Sequence, residues 1–532
     1  MGAPADDGFA LRELAAPLGA LAALAVASAW LGTRHGVGLS PDSVNYLRAA
    51  HSLLDGEGLR VVQSFHYRGP VPMTHWPPLF PAILAAGGWL GFDPAAFGRA
   101  WNALLLGLNA ALVGGLVGLQ TRSRPAALAA CLIFLGNPEV VLQHQMLWTE
   151  PTSFAATFLA LGLVWRHLAA PATPLWVGAA ACAAAAAMTR YASIAVVAAC
   201  GLALLLLSRE PWPRRLRQGL GFGAISCAPL ALWALRNRRL AGGATYDEPL
   251  PALLGFDQVA APLLRSLEGW LWPFAAAPGP PAVAALLAGA CALGALVAAA
   301  ALARAGRSGA RGATPADPGR LPTLMGLFAI CHLAFLYGTV AVLFGAWTPS
   351  PRHWVPASAA VLIAAVCLAA RALGRRPRPR LAAPALALSL AALLAGDAAR
   401  ALDGQLRAAR DGLGLNALRW KRSPLIEFAR RLPPQAPVFT NSPAVWVHAR
   451  RENLGFVPVK RQPQRPEPNP EYEDQLRDMG RRLAAGGGAV VLFDDQGTVW
   501  PQAAELRRAL PLEVVLRADD GQVLAPRSEA AR

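Results

Sequence analysis

The chain has 532 residues, 55% of them hydrophobic and only 15% charged, where an ordinary soluble domain carries about a quarter charged residues. The apolar residues gather in nearly uncharged runs of about 15 to 25, and ~20 residues at 1.5 Å rise cross a ~30 Å hydrocarbon core. A soluble enzyme, a disordered chain and a secreted disulfide scaffold are excluded, and the net charge of +17 is explained below without nucleic acid.

The first apolar block, 9–31, is too long for a signal-peptide core and lacks a basic leader, so it reads as a retained span. Eleven spans are expected, near 10–32, 99–120, 125–143, 151–167, 174–189, 191–208, 218–235, 281–303, 321–346, 354–372 and 381–397. The short pair 174–189 and 191–208 also fits a helical hairpin. Pro77–Leu90 is apolar but proline-led and short, which suits a helix at the membrane interface. All seven cysteines fall inside apolar blocks with no paired spacing, and read as buried small hydrophobes.

Loop charge orients the spans. With the N-terminus inside, alternate loops carry Arg122 and Arg124, Arg166, Arg209 to Arg217, Arg304 to Arg320, and Arg371 to Arg380, as the excess of basic residues in cytoplasmic loops requires. Eleven spans then place the final segment, 398–532, outside the cytoplasm. It holds 21 Lys+Arg against 16 Asp+Glu, which leaves +12 of the excess on the membrane part, 1–397. Strand-like runs Pro437–Thr440, Ala489–Phe493 and Leu512–Leu516 alternate with helix-like Pro443–Arg450, Tyr472–Ala485 and Gln502–Leu510. The expected fold is therefore a mostly α, polytopic helix bundle with long outer loops 33–98 and 236–280, followed by a small α/β domain outside the cytoplasm. Within the second long loop, Leu263–Trp272 fits an amphipathic helix on the membrane.

The outer loops carry the chemistry. Ser40-Pro41-Asp42 reads as an N-cap, a proline at the first helical position and an acid in the first turn. Asp42 is then either a helix-start residue, favoured by the helix dipole, or a general base for an acceptor hydroxyl. In His75-Trp76-Pro77-Pro78-Leu79-Phe80-Pro81 the prolines suit a turn re-entering the membrane, and His66 and His75 are candidate bases or ligands. Glu150 stands at the mouth of a span with Pro151 expected at its first position, either as a dipole-stabilised acid or as a second acid of the same site. Arg190, Arg236, Arg238, Arg239 and Arg352 lie at outer span ends, where basic residues are disfavoured. They call for an anionic partner, either lipid headgroups or a bound phosphate, which the arginine fork grips bidentately. Of 49 basic residues only Lys421 and Lys460 are lysines, so position rather than arginine identity carries this point. Trp76, Trp148, Trp270, Trp272 and Trp347 fit interfacial anchors better than sugar-stacking platforms.

At these residues the sequence resembles the bacterial GT-C-type membrane glycosyltransferases, in the branch of protein O-mannosyltransferases and aminoarabinose transferases. The matching motifs run in order: Asp42, Tyr46 and Gly56-Glu57-Gly58; Pro77-Pro78-Leu79-Phe80-Pro81; Thr149-Glu150-Pro151; Thr189-Arg190-Tyr191; Trp233 with Arg236-Asn237; Arg352-His353-Trp354-Val355-Pro356, where His353 replaces the family's usual tyrosine; and Phe439-Thr440-Asn441-Ser442-Pro443. The resemblance implies inverting transfer of a sugar from a polyprenyl-phosphate carrier to a hydroxyl of a lipid, glycan or protein acceptor, at the outer face of the bacterial cytoplasmic membrane. It implies Asp42 as base, Glu150 as supporting acid, and Tyr46, His75, Arg190, Tyr191, Arg236, Asn237, Arg352 and His353 as substrate contacts. No His/Asp/Glu cluster has metal-ligand spacing, so no metal site is assigned, although two outer acids could share a divalent ion; no other cofactor is implied. Membrane lipids are expected partners and nucleic acid is not. The alternative class is a transporter or lipid flippase. It is disfavoured because the notable charges cluster at one face rather than mid-membrane, and no repeated halves are visible.

Overall fold

The computed structural model describes residues 7–61, 70–241, 319–343, 350–373, 382–449, 453–461, 468–496 and 500–527. In chain order the helices are α1 (Asp7–Gly32), α2 (Pro41–Leu54), α3 (Leu79–Trp89), α4 (Pro94–Thr121), α5 (Arg124–Gly136), α6 (Pro138–Gln145), α7 (Glu150–Ala169), α8 (Thr173–Thr189), α9 (Ile194–Leu206) and α10 (Trp212–Ala241). After them come α11 (Arg320–Leu343), α12 (Val355–Leu373), α13 (Ala382–Asp411), α14 (Leu418–Lys421), α15 (Pro424–Arg431), α16 (Ala444–Ala449), α17 (Tyr472–Gly486) and α18 (Ala503–Ala509). The chain divides into two compact units: Met1–Gly32, Thr74–Phe80 and Ala100–Leu406 form the first, and Thr33–Met73, Pro81–Arg99 and Arg407–Arg532 the second.

The first unit is helical, and its apolar sequence dictates why. Four helices among the described residues are long and apolar enough to cross a membrane, or five if the bent pair α5–α6 counts as one; four shorter apolar helices accompany them. The chain is thus a multi-pass membrane protein. Small residues set the packing distances, as between membrane helices generally. The alanine-rich α8 buries Ala179, Ala180, Ala183, Ala186 and Ala187 and packs along α7. At Gly107 of α4 an added Cβ would stand 2.7 Å from the Ala22 carbonyl of α1. The described cysteines are all free thiols, buried or half-buried, as expected; Cys291 lies outside the described residues.

One expected span is bent within its length. The run 125–143 is broken at Asn137, where α5 and α6 meet at 64°. Pro138 cannot supply an N–H to continue α5, and the Asn137 side chain caps α6 by accepting from the N–H groups of Glu139 and Val140. Two helices outrun their apolar blocks: α10 continues to Ala241 and α13 to Asp411. The expected span 281–303 and the amphipathic Leu263–Trp272 lie outside the described residues.

The second unit contains a five-stranded sheet in the order β4-β3-β5-β7-β6, built from β3 (Val438–Thr440), β4 (Leu454–Phe456), β5 (Ala489–Phe493), β6 (Leu512–Ala518) and β7 (Gly521–Pro526). Strand β3 pairs in parallel with β4 and β5, while β7 pairs antiparallel with β5 and β6. The all-apolar β5 is buried on both faces, and its core includes Phe439, Met479, Leu483, Leu506 and Leu524. The short ribbon β1 (Arg60–Val61) with β2 (Val71–Pro72) belongs to the same unit but to a separate sheet. Asn441 of the Thr-Asn-Ser-Pro motif is a clamp: it donates to the Phe493 carbonyl at 2.8 Å and accepts from the Phe493 N–H at 2.9 Å, tying the end of β3 to the end of β5.

The loop after α1 is stitched to the segment after α13. Leu39 bridges Gly414, the Leu415 N–H donates to the Leu39 carbonyl at 2.7 Å, and Asn416 donates to the Val37 carbonyl at 2.9 Å. Gly414 has φ +55, and a Cβ there would lie 2.1 Å from the Leu39 carbonyl oxygen. Gly414→Ala is therefore expected to cost about 2–3 kcal/mol, since it combines a left-handed backbone with a backbone clash. A lowered melting temperature of the detergent-purified protein checks it.

His448 on α16 donates through Nε2 to the Leu415 carbonyl at 2.7 Å. Burial holds its imidazole below the ordinary value of 6.5, and the charges of Lys421 and Arg430 add to the effect. A histidine depressed in the folded state contributes stability that is complete above its unfolded pKa and is lost as pH falls below ~6.5 toward the folded value. Melting temperature should fall between pH 7 and pH 5, and His448→Gln should flatten that dependence; an unchanged slope would refute the assignment.

Candidate active site

In the first unit the chain gathers one acid and two arginines from three helix ends. Helix α7 starts at Glu150, which makes Pro151 its second residue rather than the expected first. Glu150 is 2% exposed, at the end of α7 where the helix dipole favours a carboxylate. Its Oε1 stands 2.6 Å from Arg190 Nη1 and 3.8 Å from Arg352 Nε. The Thr149 hydroxyl donates to Glu150 Oε2 at 3.4 Å and accepts from Arg190 Nη1 at 3.1 Å. Arg190 can reach because α8 stops at Thr189: Arg190 is extended and leads into a 3-10 turn, Tyr191–Ser193. Arg352 sits in a second 3-10 turn, Pro351–His353. Its guanidinium lies 4.6 Å over the Trp148 ring, and its carbonyl accepts from Gln143 Nε2 at 3.1 Å. The trio carries a net positive charge in a desolvated place, which is the electrostatic setting that attracts and orients an anion.

A buried network fixes the start of α7. Asn109 of α4 donates to the Pro151 carbonyl and to His144 Nε2, each at 3.0 Å. His144 Nδ1 meets the Val140 carbonyl at 2.7 Å, so the proton sits on Nδ1 and Nε2 accepts. Trp101 donates to the Thr152 hydroxyl at 2.9 Å, and Asn102 to the Met146 carbonyl at 2.6 Å. Beside Glu150 a small cavity is lined by Ser153, Ser193, His332 and His353, among others.

A second group forms around the Thr74 carbonyl, just before the Pro-Pro turn. Asn237 donates to it at 3.1 Å and the Tyr191 hydroxyl at 3.4 Å; Trp233 donates to Tyr191 at 3.1 Å. Arg236 donates to Asn237 Oδ1 at 2.9 Å and lies 4.3 Å over the Trp233 ring. Tyr191, Arg236 and Asn237 thus hold the backbone next to His75, whose ring stacks edge-on with Trp76 at 4.6 Å. Arg236 lies within α10, not past its end.

Asp42 and Tyr46 belong to the second unit. Ser40 and Ser43 form a reciprocal capping box at the start of α2, with Pro41 in its first turn. Asp42 is half-buried in that first turn, and Tyr46 one turn on is buried. Helix-start geometry is therefore present for Asp42, as expected for either of its two readings. The Gly56-Glu57-Gly58 turn follows, with both glycines at positive φ. His66 lies outside the described residues. Sequence reasoning did not single out Asn109, Gln143, His144, Ser153, Ser193 or His332. Asn109 and His332 sit in otherwise apolar runs, where a polar residue inside a span is the available signal; the other four stand beside further polar residues near helix ends. Among the described residues no group of three or more His, Cys, Asp or Glu is placed to hold a metal ion.

The chain has the fold of solved membrane glycosyltransferases of the GT-C type. It is similar over 96% of its length, and 98% of the other chain, to ArnT from Cupriavidus metallidurans bound to undecaprenyl phosphate, with TM-score 0.59 and 17% identity. The apo state of ArnT matches with TM-score 0.57 and 18% identity, over 95% of this chain and 97% of that one. The mycobacterial arabinofuranosyltransferase AftD matches over 96% of this chain and 40% of its own, with TM-score 0.51 and 17% identity. No family model matches the chain, and no curated protein matches its sequence.

Proposed function

We propose that the protein is an inverting glycosyltransferase that moves a sugar from a polyprenyl-phosphate carrier to an acceptor hydroxyl at the outer face of the bacterial cytoplasmic membrane. The observation that carries this reading is the buried Glu150 carboxylate between Arg190 and Arg352, next to Trp148, in a chain with the GT-C fold. Arginines at two helix breaks suit a lipid phosphate: it arrives as an anion and departs with more charge than it brought, which preorganised donors stabilise. Undecaprenyl phosphate bound to ArnT is the matching chemistry in a structural neighbour. Asp42 takes the acceptor proton and Glu150 orients the arginines. Tyr191, Arg236 and Asn237 set the loop that carries His75, and Tyr46 and His353 support the binding surfaces. On this reading the segment 398–532 and loop 33–98 face the outside of the cytoplasm.

The test is transfer in membranes from radiolabelled polyprenyl-phosphate pentoses and hexoses. Transfer of label to an acceptor, weakened about 10- to 100-fold in KM for the carrier by Arg352→Ala, is the expected outcome, since a charge-assisted contact to phosphate is lost. Carrier movement across the bilayer without transfer would favour a flippase.

A further inference from the structure

The cavity beside Glu150 contains polar atoms with nothing to bind. His332 of α11 is 4% exposed, and its Nε2 stands 2.9 Å from the His353 carbonyl. A carbonyl only accepts, so Nε2 carries a hydrogen, and in the neutral ring Nδ1 is a bare lone pair. That Nδ1 is buried and has no hydrogen-bond partner within the protein, a rare state for a buried polar atom and one that asks for an explanation. Across the same cavity the Ser153 and Ser193 hydroxyls are 2.6 Å apart. One donates to the other, which leaves one hydroxyl proton free to be given elsewhere. Glu150 Oε1, also on this cavity, is ion-paired to Arg190 but in no aligned hydrogen bond.

The cavity therefore offers acceptors and a donor together. A phosphate brings no proton for His332, and an ammonium cannot accept from a serine. A hydroxyl does both, and a water holding the place of a sugar hydroxyl would too. We infer that this cavity is a subsite for one hydroxyl of the transferred sugar, with His332 Nδ1 as its acceptor and the serine pair as its donor; the inference rests on the proposed glycosyl transfer. His332 is in this role a specificity determinant, and its Nε2 bond to the His353 carbonyl aims it.

Two variants separate the two nitrogens. His332→Gln keeps a donor for the His353 carbonyl and removes the Nδ1 acceptor, while His332→Asn keeps an acceptor near Nδ1 and removes the strut. Turnover is measured with decaprenyl-phosphate arabinose, mannose and glucose, then with the monodeoxy analogues of the sugar transferred fastest. With the wild-type protein one deoxy analogue should lose about 10- to 100-fold in kcat/KM. His332→Gln should lose a similar factor on the parent sugar and nothing further on that analogue, and His332→Asn should keep the discrimination while melting earlier. In parallel, the ¹⁵N resonance of His332 Nδ1 in labelled protein in nanodiscs should move with the sugar-linked carrier and stay in place with decaprenyl phosphate alone. Equal use of all deoxy analogues, wild-type discrimination by His332→Gln, or a resonance that moves with the bare carrier overturns the subsite while leaving glycosyl transfer intact. Absence of transfer from every carrier removes the glycosyl-transfer reading, and the subsite falls with it.

Discussion

Glu150→Ala is expected to abolish turnover and to destabilise the protein by about 3 kcal/mol. Removing one partner of a buried ion pair typically costs about 3–5 kcal/mol because the other charge is left unpaired. The lower end applies here, because the Arg190 and Arg352 side chains keep 20% and 24% of their exposure. Without the carboxylate the two guanidinium groups face each other across a site that no longer balances them, and Thr149 loses one of its partners. Glu150→Gln separates the effects: it keeps the volume and one acceptor oxygen, so stability should recover much of the loss. Turnover should still fall about 10²- to 10³-fold, the scale of losing one preorganised electrostatic group. The freed arginines should meanwhile bind bare polyprenyl phosphate more tightly, because Glu150 no longer competes for them. Thermal unfolding, turnover and carrier binding on the two variants give the three readouts. Full turnover in Glu150→Gln would remove Glu150 from the site.

Asp42→Asn should leave folding nearly intact and reduce transfer about 10²- to 10⁴-fold, the usual contribution of a positioned general base. As a first-turn carboxylate Asp42 gains about 0.3–1 kcal/mol from the helix dipole, and the Ser40–Ser43 capping box remains in the variant. Melting temperature and transfer therefore separate the two readings of this residue. Asp42→Glu should recover part of the rate, since the longer acid still accepts a proton but from a displaced position. Wild-type transfer in Asp42→Asn, with a small drop in melting temperature, would leave only the helix-start role.

Several elements were legible in the sequence because their signals are local. Ser40-Pro41 and Thr149-Glu150-Pro151 announce helix starts by residue type, and the runs at 489–493 and 512–516 announce strands by β-branched and aromatic content. The Asn137-Pro138 break was visible as a dipeptide but was absorbed into a hydropathy block that ignores hydrogen bonding. The site was legible only as parts. Glu150, Arg190 and Arg352 come from three helix ends far apart in the chain, and no spacing rule encodes that they meet. Tyr191 and Asn237 stand out only through the motifs they share with the resembled family, and no local pattern shows that both donate to the Thr74 carbonyl. His332 carries a single cue, a polar residue among apolar neighbours along α11, and nothing in the sequence ties it to Glu150.

The stitch between Leu39 and Gly414 also sets a timetable. Arg34 donates to the Ala409 carbonyl, 375 residues further along the chain, and the Leu39–Gly414 bridge spans a comparable stretch. At about 5–20 residues per second of synthesis, the segment after α1 waits roughly 20 to 75 s for its partner to be made. During that wait α2, with its buried Tyr46, Leu47 and Ala50, lacks the later segment that completes its unit. The second unit is therefore completed only after residue 414 has been made, and variants that weaken the late segment should be cleared by proteases as incomplete units rather than accumulate as inactive enzyme.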